Sequence, residues 1–410
     1  MPLHSPSPSP AAHMVSRRTA LQLAMAAAAG MMLPTAVAGA RSKADTANPF
    51  AAIDAAALAL IANKATPGLS LAVMRAGKLL YAKGFGAANL ETESLVTTET
   101  VFRVGSVSKQ FIATAIALLA EEGKLGFDDP LSRFLPLFPR AGDITLRQML
   151  THTSGLGNYT DTQPPEEFLK LARPDYSDAE LLAAMANTSP LFKTEPGTAW
   201  AYSNTAYVLL GLVVQVVSGE PYGAFLRQRL FVPAGMMQTA VDDASDVVLH
   251  RANGYSADPT HPGEFRNSNF ISMTFPGAAG AMRSTPSDLC RWHAALLGGR
   301  IVKPETLRVL LTPGRLKNGE LPEAPMPPNA RKDAPKEFIK YGFGLSFGDF
   351  DGKNYIEHDG GIFGFVSAFR SFWPQQVTVA LLVNYDGFGS QEKFQPVRDV
   401  RDAAARIALV

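Results

Sequence analysis

Residues 101–123 read VFRVGSVSKQFIATAIALLAEEG, and the parsing of this stretch decides the fold. Val101-Phe102-Arg103-Val104 has the β-branched and aromatic content of a short strand. Gly105 interrupts it. From Ser106 to Glu122 the pattern predicts a strong amphipathic helix ending at Gly123. Ser106 and Lys109, three residues apart, then share one helical face. A serine hydroxyl is a poor nucleophile until a base takes its proton. A lysine is such a base once burial or a neighbouring cation lowers its pKa. The helix start adds free backbone N–H groups and the positive dipole end, which suit a developing oxyanion. Taken alone, S-x-x-K fits equally a capping serine beside a surface lysine.

On the N-terminal side, residues 49–64 (PFAAIDAAALALIANK) place Ile53, Leu58 and Ile61 at helical spacing. Gly68 to Gly86 reads as a hairpin turning at Ala76-Gly77. On the C-terminal side the pattern is mostly helical to about residue 240. One helix starts after Asp143 as its N-cap, one follows Tyr176, and two more run through 204–219 and 221–231. Thr285-Pro286-Ser287-Asp288 supplies a cap, a proline and an acid for the helix DLCRWHAALLG. Residues 312–337 are rich in proline and charge, a long exposed loop that is either a tolerated insertion or a substrate rim. Strand patterns follow over 341–350, 353–360, 365–374 and 376–385, with a turn at Asp351-Gly352, and the chain ends in a helix. Strands at both ends and helices between predict an α/β (α+β) fold. Its antiparallel sheet would come from about 49–105 and 275–410, and its helical insertion from about 106–274.

Composition narrows the classes. The chain has 410 residues, 38 basic and 37 acidic, and one cysteine. A charge of +1 offers no basic field for nucleic acid, and 46% hydrophobic residues exclude a disordered chain. One thiol forms no internal disulfide, and no Cys/His cluster has zinc-ligand spacing. Residues 15–40 (VSRRTALQLAMAAAAGMMLPTAVAGA) have the layout of an export signal. Arg17-Arg18 points to the twin-arginine route, with a general secretory signal as the alternative. The apolar run is too short for a membrane anchor. Met14 is an alternative start to Met1. Loss of residues 1–40 leaves a chain with 36 basic and 37 acidic residues, expected in the periplasm or secreted, with no later membrane span.

Two more motifs complete a pattern. Tyr202-Ser203-Asn204 opens a helix, and His358-Asp359-Gly360-Gly361 lies among the late strands. The order S-x-x-K, Y-x-N, H-x-G resembles the serine β-lactamase and penicillin-binding protein superfamily. The branch it looks most like holds class C β-lactamases, D,D-peptidases, D-aminopeptidases and β-lactamase-like esterases. FRVGSVSKQFIATAIALLAEEGKLGFDDPL, ITLRQMLTHTSGL, PGTAWAYSNTAYVLLG and GAAGAMRSTPSDLCRW agree with it, so the resemblance covers about residues 50–385. It implies the penicillin-recognising fold and a serine hydrolase that needs no metal or organic cofactor. It makes Ser106 the nucleophile of an acyl-enzyme and Lys109 its proton partner. Tyr202 shares the acid–base work, and which of Lys109 and Tyr202 is the base stays open. Asn204, His358 and Gly360 would bind substrate, and the N–H groups of Ser106 and Gly361 would form the oxyanion hole. Tyr159, just after H-T-S-G-L, is expected along the cleft.

The third motif departs from the K-T-G of class C β-lactamases. His358 replaces a permanent cation with a group only partly charged near neutrality. Asp359 is expected to add negative charge where a β-lactam carboxylate would arrive. No glutamate clearly takes the deacylating role known in class A enzymes. The expected substrates are therefore D-amino-acid peptides, with esters or β-lactam-like compounds as alternatives. A non-catalytic penicillin- or peptidoglycan-binding protein is a further alternative. Gly344-Leu345-Ser346-Phe347-Gly348 mimics an esterase elbow, but another strand follows it rather than a helix. Ser70, His152 and His293 read as structural, and Phe363 and Trp373 as core or rim.

Overall fold

The computed structural model describes residues 48–161, 164–324, 336–387 and 391–410. The expected export signal at 1–40 lies outside them, as do residues 325–335 of the expected loop. Strands β1 (Gly68–Arg75), β2 (Lys78–Asn89), β3 (Ser94–Leu95) and β4 (Phe102–Arg103) come first. The short strands β5 (Ala240–Val241), β6 (Tyr255–Ala257), β7 (Phe265–Asn267) and β8 (Met282–Ser284) lie mid-chain. Then come β9 (Ser346–Phe350), β10 (Lys353–Ile362), β11 (Phe365–Phe372) and β12 (Val377–Val383).

The hairpin forms where expected, because Ala76 and Gly77 both take positive φ (48° and 75°), the geometry of a tight two-residue turn. The main sheet has the order β3-β2-β1-β12-β11-β10-β9. The two chain ends meet in it as the antiparallel β1–β12 pair, from Leu69 opposite Val383 to Arg75 opposite Val377. Every residue of β11 and β12 is buried, since helices cover both sheet faces. One face carries Leu69, Leu71, Val73, Val379 and Leu381 against the helices Ala51–Ala62 and Gln391–Leu409. The other carries Ala72, Met74, Ala380 and Leu382, in one core with Phe111 and Trp292 of the helices Lys109–Glu121 and Pro286–Leu297. Cys290 is buried there.

Several boundaries move for identifiable reasons. The helix after Gly105 begins as a 3-10 turn, Gly105–Ser108, and becomes α-helical at Lys109. Three residues per turn align Ser106 with Lys109 more closely than an α-turn would. Asp143 is not an N-cap. Thr145 caps Leu146–Leu150 through a reciprocal box with Gln148, while Asp143 pairs with Arg140. β9 starts at Ser346 rather than Tyr341, because Gly344 (φ 73°) is pressed against the backbone of Lys109 and Gln110. The segment expected to be helical through residue 274 leaves helix after Ala234 and carries β5 to β7. Among the described residues no single helix is long and apolar enough to cross a membrane.

Candidate active site

Ser106, Lys109, Tyr202 and Asn204 converge on one point. The buried Lys109 reaches it from the first turn of Lys109–Glu121, while Tyr202 and Asn204 stand at the start of Asn204–Ser218, whose N-cap is Ser203. Lys109 Nζ lies 3.1 Å from Ser106 Oγ, 2.7 Å from Asn204 Oδ1 and 2.8 Å from the Ala279 carbonyl oxygen. The last two oxygens only accept, so the amine donates to both. Burial holds the Lys109 pKa well below the usual lysine value. A neutral amine has two N–H donors and one lone pair; with both donors engaged, the lone pair faces Ser106 Oγ.

Tyr202 Oη lies 2.8 Å from Ser106 Oγ on another side. Burial raises its pKa, so it keeps its proton and donates. Asn204 Nδ2 donates to Thr160 Oγ1 at 3.1 Å, which fixes its oxygen toward Lys109.

The third motif is placed by alternation along β10. His358 Nδ1 lies 2.6 Å from the Asp359 carbonyl oxygen, an acceptor, so Nδ1 carries the proton. Nε2 then accepts from Tyr341 Oη at 3.1 Å. Burial, and then repulsion by Lys109 whenever that amine is protonated, push the His358 pKa down to about 4. The imidazole is therefore neutral near pH 7, not partly charged. Asp359 faces away from the site: its carboxylate accepts from Arg398 Nη2 at 2.6 Å and from Arg401 Nη1 at 3.4 Å. It adds no negative charge where a substrate would arrive, contrary to the sequence expectation. Gly360 is required by packing, since a Cβ there would lie 2.1 Å from the Val104 carbonyl oxygen. Gly361 is exposed and lines, with Ser106, a cavity of about 240 Å³.

Tyr159, Phe168, Phe275, Ile362 and Phe363 wall this cavity. Tyr159 lines the cavity, and its Oη donates to the Phe275 carbonyl oxygen at 3.2 Å. None of the described lining residues is an acid, a lysine or an arginine. Phe363 thus lies at the site, while Trp373 packs on the main core. The described part of the 312–337 loop lines a separate groove with Arg147 and Arg308.

Sequence reasoning missed two side chains around Lys109. His152 closes a helix-ending loop as expected, but its ring also packs, tilted, with its centre 4.4 Å from that of Tyr202 and 4.7 Å from that of Tyr341. Its Nδ1 accepts from Ser203 N–H at 3.2 Å, and its buried Nε2 has no partner among the described residues. Tyr341 falls in the expected strand 341–350, yet it lies outside β9 and its hydroxyl meets His358. No spacing could have found either, because segments near 150, 200, 340 and 358 meet only in the fold. The remaining expectations hold: Ser346 pairs in β9 with Glu357, and Ser70 bonds the carbonyls of Lys83 and Thr97. His293 is buried against Phe369.

Comparison with known proteins fits this geometry. A family model described as Beta-lactamase matches residues 53–402. Penicillin-binding protein 4* of Bacillus subtilis (strain 168) is 31% identical over 75% of this chain and 66% of its own length. Esterase EstB of Burkholderia gladioli is 30% identical over 62% of this chain and 67% of its own. The chain thus spans about two thirds of the length of these curated relatives. Among solved structures, the D-amino acid amidase of Ochrobactrum anthropi SV3 superposes with a TM-score of 0.67. It is 26% identical, covering 87% of this chain and 98% of the amidase.

Proposed function

This chain belongs to the Beta-lactamase family, and we propose that it is an exported serine hydrolase acting through a Ser106 acyl-enzyme. The observation that carries this reading is the convergence of Lys109 Nζ (3.1 Å) and Tyr202 Oη (2.8 Å) on Ser106 Oγ. The neutral Lys109 takes the Ser106 proton as Oγ attacks the substrate carbonyl carbon. Negative charge develops on the carbonyl oxygen, held by the backbone N–H groups of Ser106 and Gly361. Tyr202 gives its proton to the departing amine or alcohol, the C–N or C–O bond breaks, and protonated Lys109, 4.8 Å from the centre of the Tyr202 ring, restores the proton to Tyr202. Water then attacks the ester by the same proton route, releasing the acid and free Ser106.

The substrate is a small amide or peptide of a D-amino acid. The aromatic cavity suits an apolar side chain, and the named amidase relative supports the amide. Ester hydrolysis is the second reading, favoured by a specific feature: neutral His358 offers no fixed cation for a β-lactam carboxylate. The test sets fluorescent penicillin, nitrocefin, a p-nitrophenyl ester and D-phenylalanine amide against wild type and Ser106→Ala. Turnover by wild type alone, fastest on the amide, is expected. A Ser106 adduct without turnover would make the chain a binding protein, and neither adduct nor turnover would overturn the hydrolase reading.

A further inference from the structure

The cavity around Ser106 carries no charged wall residue, but a second cavity adjoins it across Phe363, which lines both. Phe270 and Ile271, adjacent in sequence, line one each. The second cavity, about 200 Å³, is walled by Arg103, Arg251 and Arg283 with Phe102 and Phe270. Arg103 and Arg283 sit directly opposite each other in the β4–β8 pair. Like charges so placed repel, and such a pairing persists only with compensation.

That compensation is incomplete at the cavity. Asp242, whose side chain is 1% exposed, takes Arg103 Nε at 2.8 Å, Arg251 Nη1 at 3.0 Å and Arg283 Nη1 at 3.1 Å. Asp246 binds Arg283 at 2.8 Å but does not line the cavity. Three guanidiniums therefore face the space with one carboxylate. The two terminal nitrogens of Arg103 make no hydrogen bond with any described residue, although the side chain is 16% exposed. A planar guanidinium with unused donors in a partly dry pocket is a recognition group for a carboxylate.

We propose that this arginine-walled cavity is a substrate subsite that holds a carboxylate at the end of the substrate remote from the carbonyl attacked by Ser106. The proposal deepens the hydrolase reading and rests on it for the word substrate. The protein would then prefer amides and esters whose acyl chain ends in a negative charge, reaching past Phe363.

The test compares p-nitrophenyl hemi-esters of glutarate, adipate and suberate with neutral p-nitrophenyl esters of equal chain length. One charge-assisted contact is worth about tenfold or more, so at least one hemi-ester should exceed its neutral partner about tenfold in kcat/KM at low salt, through KM. High salt should narrow the gap. Arg103→Met should erase the preference and leave neutral esters unchanged. Asn269→Asp, a conservative change in the same wall, should do so as well if Arg103→Met fails to fold. Calorimetry of adipate with Ser106→Ala should show binding that Asn269→Asp abolishes, independently of turnover. Neutral esters hydrolysed with no hemi-ester preferred, or no adipate binding, overturns the subsite and leaves the hydrolase reading standing. Adipate binding with neither adduct nor turnover on any ester, on D-phenylalanine amide or on the β-lactams overturns the hydrolase reading and leaves an anion site.

Discussion

Gly105 lies so close to Gly361 that a Cβ on Gly105 would stand 2.8 Å from the Gly361 carbonyl oxygen and 3.0 Å from its nitrogen. This contact locks the turn bearing Ser106 against β10. Gly105 also holds φ at 50°, where side chains are strained. Gly105→Ala must push the two backbones apart, and with them the proposed oxyanion donors. The expected outcome is a fall in kcat of about 10²-fold with a loss of stability of about 1–3 kcal/mol. Ester kinetics and thermal unfolding check both.

Lys109 accepts the Ser106 proton only as the neutral amine. Its pKa lies well below the usual lysine value because the side chain is buried. Activity is therefore present above that lowered pKa and lost as pH falls through it, giving kcat/KM an acid limb. Lys109→Arg, which stays protonated at all accessible pH, should abolish acylation throughout the range rather than shift the limb. Burst kinetics from pH 4 to 10 would read this, and activity of the arginine variant would count against the amine as base.

Tyr159 lines the cavity, and its hydroxyl donates to the Phe275 carbonyl oxygen. Tyr159→Phe should accordingly keep kcat/KM within a few-fold, with a modest loss of stability of about 1 kcal/mol. Tyr159→Ala enlarges the cavity and should shift preference toward bulkier acyl groups. A large catalytic loss in the phenylalanine variant would mean that the hydroxyl meets the substrate.

Asp359 belongs to an ion network rather than to the cleft. Arg401, 1% exposed, is shared among Glu357, Asp359 and Asp402. Asp359→Ser removes one acid but leaves Arg401 two others, so a cost of about 1–3 kcal/mol is expected. The KM for a carboxylate-bearing substrate should not change. Urea denaturation and steady-state kinetics on the same preparation would separate the two effects.

The placement of Asp359 marks the boundary of what sequence could convey. The hairpin at Ala76-Gly77, the cap at Thr285 and the sheet closed by both termini follow from local turn chemistry and periodicity. Ser106, Lys109, Tyr202 and Asn204 were legible only jointly, through the family resemblance that S-x-x-K, Y-x-N and H-x-G carry together, since S-x-x-K alone fits a capping serine beside a surface lysine. The charge at the third motif was not. Period two says that His358 and Asp359 face opposite ways, but not which of them faces the serine. The His358 ring meets Tyr341 and Tyr202, which come from other segments of the chain. His152 was hidden for the same reason, since a loop histidine shows its partners only once the loop is folded.

The buried neutrality of His358 has a measurable thermodynamic consequence. Its pKa is about 4 in the folded chain against an ordinary value of 6.5. Between these values the unfolded chain binds a proton that the folded imidazole refuses. The stability this neutral imidazole supports is present in full above pH 6.5 and is lost as pH falls toward 4. At about 1.4 kcal/mol per unit, the contribution of this one residue is about 3 kcal/mol. His152, also held well below the usual histidine value by burial, adds a slope of the same sign. His358→Gln keeps a donor for the Asp359 carbonyl and an acceptor for Tyr341 while removing the titration. Denaturation midpoints between pH 4 and 7.5 should fall more gently with acid in the variant than in wild type. Equal slopes would mean that the folded imidazole titrates at its ordinary value, and the third motif would then be only partly charged near neutrality.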